Sequence, residues 1–95
     1  MAASFRVLVS DSLAPQGVEI LKRHARIQCD INTALTPAQL AAIIPPYDAL
    51  LVRSSTKVTR EIIDRASSLK VIGRAGVGVD NVDLDAATRR GIVVM

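Results

Sequence analysis

The chain has 95 residues, 49% of them apolar, and a formal net charge of +3. That suffices for one packed core, leaves no room for a second, and is too apolar for a disordered segment. Without a basic block or aromatic stacking surface, nucleic acid is a poor partner. The sole cysteine, Cys29, excludes an internal disulfide. Pro45, Pro46 and Asp48 interrupt the longest apolar stretches, which excludes a signal peptide and a membrane-spanning helix. The expectation is a soluble, cytoplasmic protein with no nucleic-acid or membrane partner.

Strand-like runs alternate with helical patterns. Residues 5–9, FRVLV, read as a strand, and residues 15–25 as a helix with Pro15 in its first turn. In 27–31, Ile27, Cys29 and Ile31 alternate with Gln28 and Asp30, the pattern of a strand with one polar face. Residues 36–44 predict a helix: Thr36 caps it, Pro37 fits the first turn, Gln39 completes a capping box, and Pro45 and Pro46 stop it. Then come a wholly apolar strand at 49–52, a short helix at 59–66 expected to be capped by Thr59, and a strand at 70–74. The last helix, 82–91, has Asp83 and Asp85 at its start, Arg89 and Arg90 at its end, and Gly91 as its stop. Residues 92–95, IVVM, predict a fifth strand.

Five strands and four helices in alternation imply an open, parallel α/β sheet. The strand with one polar face belongs at an edge, and the wholly apolar third strand at the centre. The order 2-1-3-4-5 meets both conditions; an order with the third strand at the edge does not. Right-handed crossovers then place the first helix alone on one face and the other three on the opposite face. Strands three to five should present bare apolar side chains beside that lone helix, a surface through which the chain would self-associate.

Ligands of such sheets sit beyond the carboxyl ends of the strands. That edge carries Ser10–Ser12, Arg53–Thr56 and Arg74–Gly78, so two arginines lie on adjacent strands. Gly76-Val77-Gly78-Val79-Asp80-Asn81 resembles a dinucleotide loop but has Asn81 where the third glycine belongs. Two readings of these residues stay open. In one, the amides of Gly76–Gly78 hold a carboxylate while Arg53 and Arg74 hold a second anionic group. In the other, the glycines only permit a tight turn and the arginines pair with surface acids. His24 reads as a solvated helix-end residue, Cys29 as a small core hydrophobe, and Asp11 as the cap of the turn into the first helix. No metal site is assigned. A phospho-receiver is excluded, because Arg53 stands where the acceptor aspartate is required.

The segments VLVSDSLAP, LLVRSSTKVT and LKVIGRAGVGVDNVDLDAATRRGIVVM resemble the N-terminal part of the D-isomer-specific 2-hydroxyacid dehydrogenases. The resemblance runs in order through essentially the whole chain. It implies that residues 1–95 form a substrate-binding domain with a flavodoxin-like sheet, while NAD is bound mainly by a Rossmann domain outside this chain. It implies substrate contacts from Arg53, Ser54, Arg74, Ala75, Gly76, Val77 and Gly78, with Val77 also beside the cofactor. Val77 replaces the threonine of relatives, so only backbone contact to the cofactor survives there. The family's catalytic residues match nothing in this sequence, and the chain alone is expected to be inactive; its ending in an apolar strand suggests an excised domain. The implied substrate is 3-phosphoglycerate, oxidised to 3-phosphohydroxypyruvate on the route to L-serine by an enzyme that is a homo-oligomer when intact. The alternatives are another D-2-hydroxy acid without phosphate, or a stand-alone anion-binding or interaction domain.

Overall fold

Short β-branched runs separated by capped helical turns leave little choice but a parallel sheet with crossovers. The computed structural model has this architecture and describes residues 5–11, 27–33, 35–53, 56–74 and 82–95. Strands β1 (Phe5–Val9), β2 (Ile27–Ile31), β3 (Ala49–Val52), β4 (Val71–Arg74) and β5 (Val93–Val94) form one sheet in the order β2-β1-β3-β4-β5. Every neighbouring pair is parallel. The order is the one expected from the alternation in β2 and the apolar character of β3. The helix expected over 15–25 lies outside the described residues, which hold three helices: α1 (Pro37–Ile43), α2 (Arg60–Arg65) and α3 (Leu84–Arg89).

Local chemistry explains the helix ends. The Gln39 amide donates to Thr36 Oγ1 at 3.2 Å, and the Thr36 amide donates to Gln39 Oε1 at 2.9 Å. Thr59 occupies the N-cap of α2 but makes no side-chain cap bond. Asp83 Oδ1 accepts from the Ala86 amide at 3.0 Å and caps α3. At the other end of α3, Gly91 has φ +71°. The Ile92 amide donates to the Ala87 carbonyl and the Gly91 amide to that of Thr88, a Schellman closure. That closure explains why β5 starts at Val93 instead of the expected Ile92: the Ile92 N–H is already committed to α3.

The pleat divides the side chains between two faces. Leu8, Leu50, Val52 and Ile72 point to one face and pack with Leu40 and Ile44 near α1, Ile62 and Ile63 of α2, and Ala86 and Ala87 of α3. All three described helices thus cover the same face, as right-handed crossovers require. Burying each of the larger aliphatic side chains stabilises the fold by about 1.5–3 kcal/mol. Val7, Val9 and Ala49 form a smaller cluster on the opposite face, flanked by half-buried Ile27, Cys29, Leu51 and Val71. Here the expectation of bare side chains on β3–β5 holds only in part. Ala49 is 3% exposed, whereas Val93 is 58% and Met95 70% exposed; the bare surface concentrates at β5.

The amino ends of the strands are tied by one carboxylate. Asp48 Oδ2 accepts from the Arg6 amide at 2.9 Å, and its Oδ1 accepts from Lys70 Nζ at 3.1 Å. The Arg6 amide bond, aided by Lys70, holds the Asp48 carboxyl below its ordinary pKa, against the opposing effect of burial. The polar face of β2 is engaged as well. Asp30 accepts the Tyr47 hydroxyl at 2.7 Å and Arg6 at 3.5 Å, while the Arg6 guanidinium lies 4.8 Å from the Tyr47 ring centroid. Burial, and then the bond to Asp30, push the Tyr47 hydroxyl up in pKa.

Candidate functional site

The carboxyl edge of the sheet is where the sequence concentrates polar residues, and register decides which of them meet. Val9 pairs with Leu51. The Ser10 amide extends this ladder by donating to the Leu51 carbonyl at 3.1 Å. One step further along the two strands, Asp11 stands beside Arg53. On the next strand Val52 pairs with Arg74, so Arg53 and Arg74 are one residue apart in register at the same edge. Arg53 is exposed and Arg74 half-buried.

The turn that Asp11 is expected to cap, immediately after β1, lies outside the described residues. Among the described residues, the Asp11 carboxylate accepts three hydrogen bonds from the segment after β3. The Arg53 amide donates to Oδ2 at 2.6 Å and the Thr56 amide to the same oxygen at 3.0 Å. The Thr56 hydroxyl donates to Oδ1 at 2.6 Å. With that proton committed, Ser10 Oγ, 3.1 Å away, donates to the Thr56 oxygen. Both side chains of β1's extension are buried, Ser10 at 1% and Asp11 at 5% exposure, so these bonds satisfy polar atoms that would otherwise be costly inside the protein. Thr56 was not singled out by the sequence. The signal was available: once β1 and β3 are neighbours, the polar residues that follow each must meet.

Beyond this cluster the chain closes over itself. Val58 and Val82, both buried, form an isolated parallel bridge, and the Asp83 amide donates to the Val58 carbonyl at 2.9 Å. The segments after β3 and β4 are thus joined again outside the sheet. Leu35, Pro37, Leu40, Thr56 and Lys57 line a cleft of about 170 Å³ beside the same cluster.

Of the predicted site residues, Arg53 and Arg74 are brought to one edge. Ser54, Ala75, Gly76, Val77 and Gly78 lie outside the described residues, as do His24, Asp80 and Asn81. Cys29 is half-buried on the second sheet face, consistent with a packing role. Among the described residues no three His, Cys, Asp or Glu side chains gather as a metal site would require. The glycine loop at this edge lies outside the described residues, and no described residue is assigned to NAD. No described helix is long and apolar enough to cross a membrane. What the described residues at this edge offer is two arginines at the ends of neighbouring strands and the hydrogen bonds from Arg53 and Thr56 to Asp11.

Comparison with known proteins gives this edge a family. The family described as D-isomer specific 2-hydroxyacid dehydrogenase, catalytic domain, matches residues 7–95. The chain is 56% identical over 90 residues to D-3-phosphoglycerate dehydrogenase of Synechocystis, covering 95% of this chain and 16% of that protein. Against the human protein of the same name it is 49% identical over 90 residues, 95% of this chain and 17% of the relative. A crystal structure of NAD+-bound 3-phosphoglycerate dehydrogenase from Entamoeba histolytica superposes with a TM-score of 0.86 at 29% identity, covering 98% of this chain and 32% of that one. The chain therefore spans about a sixth of the length of the curated relatives it matches. With the family match running through residues 7–95 and the relatives aligned over 95% of the chain, the protein belongs to the D-isomer-specific 2-hydroxyacid dehydrogenase family.

Proposed function

We propose that the chain is the substrate-binding domain of a D-3-phosphoglycerate dehydrogenase, the NAD-dependent enzyme that oxidises 3-phosphoglycerate to 3-phosphohydroxypyruvate. The observation that carries this reading is the placement of Arg53 and Arg74, one residue apart in register at the carboxyl edge of neighbouring strands. 3-Phosphoglycerate carries a carboxylate and a phosphate at its two ends. Guanidinium forks on adjacent strands match such an ion, and fixing both of its ends orients C2 for reaction. The names of the relatives support the choice of substrate. In this reading NAD is held by parts of the enzyme outside the 95 residues, and the chain by itself binds without turning over. A place at the start of the phosphorylated route to L-serine and homo-oligomerisation of the intact enzyme follow from the family resemblance, a cytoplasmic location from the sequence reading, and all three belong to the same proposal.

The test is a titration of the isotope-labelled chain with 3-phosphoglycerate and, in parallel, D-lactate. Shifts are expected at Ser10, Asp11, Arg53–Lys57 and Arg74 with the phosphorylated acid, and weaker ones with lactate. Removing either arginine should cost about 1.5–3 kcal/mol of binding, the range for a charged hydrogen bond. Equal response to both acids would favour an unphosphorylated substrate, and shifts mapping to another edge would refute the site.

A further inference from the structure

We propose that Asp11 is a positioning residue of the anion site: by bonding Arg53 and Thr56 it fixes the backbone where β3 ends and presents Arg53 at the sheet edge. The inference rests on the anion-binding reading above and deepens it. Ladder pairing between β1 and β3 ends with the Ser10 amide. From there the backbone would be free to diverge, and Arg53 is the first residue past the last paired position of β3. Asp11 takes over where the ladder stops. One oxygen grips the amides at both ends of the segment from Arg53 to Thr56, at 2.6 and 3.0 Å, and the other grips the Thr56 hydroxyl at 2.6 Å. With the Arg53 and Thr56 amides both bonded to one buried carboxylate, the backbone at Arg53 is held where β3 ends, so the direction in which Arg53 leaves the sheet is set before any ligand arrives. Such preorganisation favours binding, because the ordering is complete in the free protein.

The geometry also answers an objection. A carboxylate beside an anion site should repel the ligand. Here both oxygens are turned onto three donors and the group is 5% exposed, so it serves as an acceptor for the loop instead of a competitor for Arg53. Asparagine can reproduce these bonds: its oxygen accepts the two amides, and its NH2 donates to the Thr56 hydroxyl, which reverses its role. Alanine can make none of them.

The experiment uses the 95-residue chain, with 3-phosphoglycerate as the probe at fixed low salt. Two readouts are taken: amide hydrogen exchange at Arg53 and Thr56 without ligand, and Kd by titration. Asp11→Ala is expected to lose protection at both amides and at least tenfold in affinity. Asp11→Asn is expected to recover both, with affinity within threefold of native. Thr56→Val, which keeps both amide bonds and removes only the hydroxyl bond to Asp11 Oδ1, should weaken binding three- to tenfold and decides the matter if Asp11→Ala does not fold. Unchanged affinity in a folded Asp11→Ala, or in Thr56→Val, overturns the positioning role while leaving the anion site standing. An Asp11→Asn protein that is folded but binds as poorly as Asp11→Ala also overturns it. A native chain that ignores 3-phosphoglycerate while its Arg53 and Thr56 amides are protected refutes the anion site itself, and the role of Asp11 with it.

Discussion

Gly73 of β4 lies directly across from Leu51 of β3, and a Cβ added to Gly73 would stand 2.6 Å from Leu51 Cδ2. The leucine occupies the space that the glycine leaves. Replacing Gly73 by alanine adds β-strand stability through the unfolded chain, about 0.4–1 kcal/mol, but forces Leu51 aside. Overpacking costs about 1–3 kcal/mol, and the half-buried Leu51 can yield, which favours the low end. Gly73→Ala is therefore expected to destabilise by about 1 kcal/mol or less. The sign should reverse in a Leu51→Ala background, where only the gain remains. Urea unfolding of the four proteins in a double-mutant cycle measures this coupling; additive effects would show that Leu51 does not limit the site.

Asp48 predicts an acid response. Its carboxyl is held below the ordinary value of 3.8, chiefly by the Arg6 amide bond, with Lys70 contributing and burial opposing. A carboxyl whose pKa is lower in the folded state binds fewer protons there than in the unfolded state. Its contribution is complete above the ordinary value and disappears as the pH falls through the folded one. Stability should be insensitive to Asp48 between pH 7 and about 5, and should fall below about 4. Asp48→Asn retains an acceptor for Arg6 but cannot titrate. The gap in unfolding midpoint between native and Asp48→Asn proteins should narrow as the pH drops from 5 to 3. A constant gap would assign the stabilisation to something other than the ionised carboxylate.

Gly91 is needed for its backbone alone. Its φ of +71° is left-handed, and nothing lies within 4 Å of the position a Cβ would take. Gly91→Ala is expected to cost about 1 kcal/mol, since only the conformational penalty applies. Gly91→Asn should cost less, as asparagine tolerates this region. Thermal or urea unfolding of both variants checks the order; an alanine variant as stable as native would mean that α3 ends without the left-handed turn.

These contrasts show which features a sequence carries openly. The capping box of α1 is local, three residues from Thr36 to Gln39, and it formed as read. The strand order was legible too, because β2 alone alternates polar and apolar side chains. What escaped was set by distance along the chain. An aspartate after a strand most often bonds its own turn, and that local habit suggested a cap for Asp11. Its described partners are 42 and 45 residues away, and the turn that follows it lies outside the described residues. They become apparent only when the register of β1 on β3 is extended past Val9 and Leu51. Likewise IVVM reads as a strand from Ile92 onward, but the glycine before it draws the Ile92 amide into the end of α3. The placement of the two arginines at one edge was legible; the long-range bonds from Arg53 and Thr56 to Asp11 were not.

The face opposite α1–α3 predicts how the chain behaves in solution. Alternation places Val93 and Met95 beside Val71 and Leu51 on that face, and the first two are 58% and 70% exposed. They sit on β5 and the residue after it, at the end of the sheet order among the described residues. An exposed apolar edge strand is a template for association, since it offers both unburied side chains and unpaired backbone groups. The 95-residue chain is therefore expected to self-associate at micromolar to millimolar concentration and to bind a hydrophobic dye. Val93→Lys with Met95→Lys should abolish both: charge at these positions costs nothing in the core and blunts the edge. Sedimentation equilibrium of the native and doubly substituted chains decides it. A native chain that is monomeric and silent to the dye would refute an uncovered face. A native oligomer that survives both lysines would locate the contact elsewhere, with Phe5 and Ile31 the next positions to change, since both are exposed on the same side of β1 and β2.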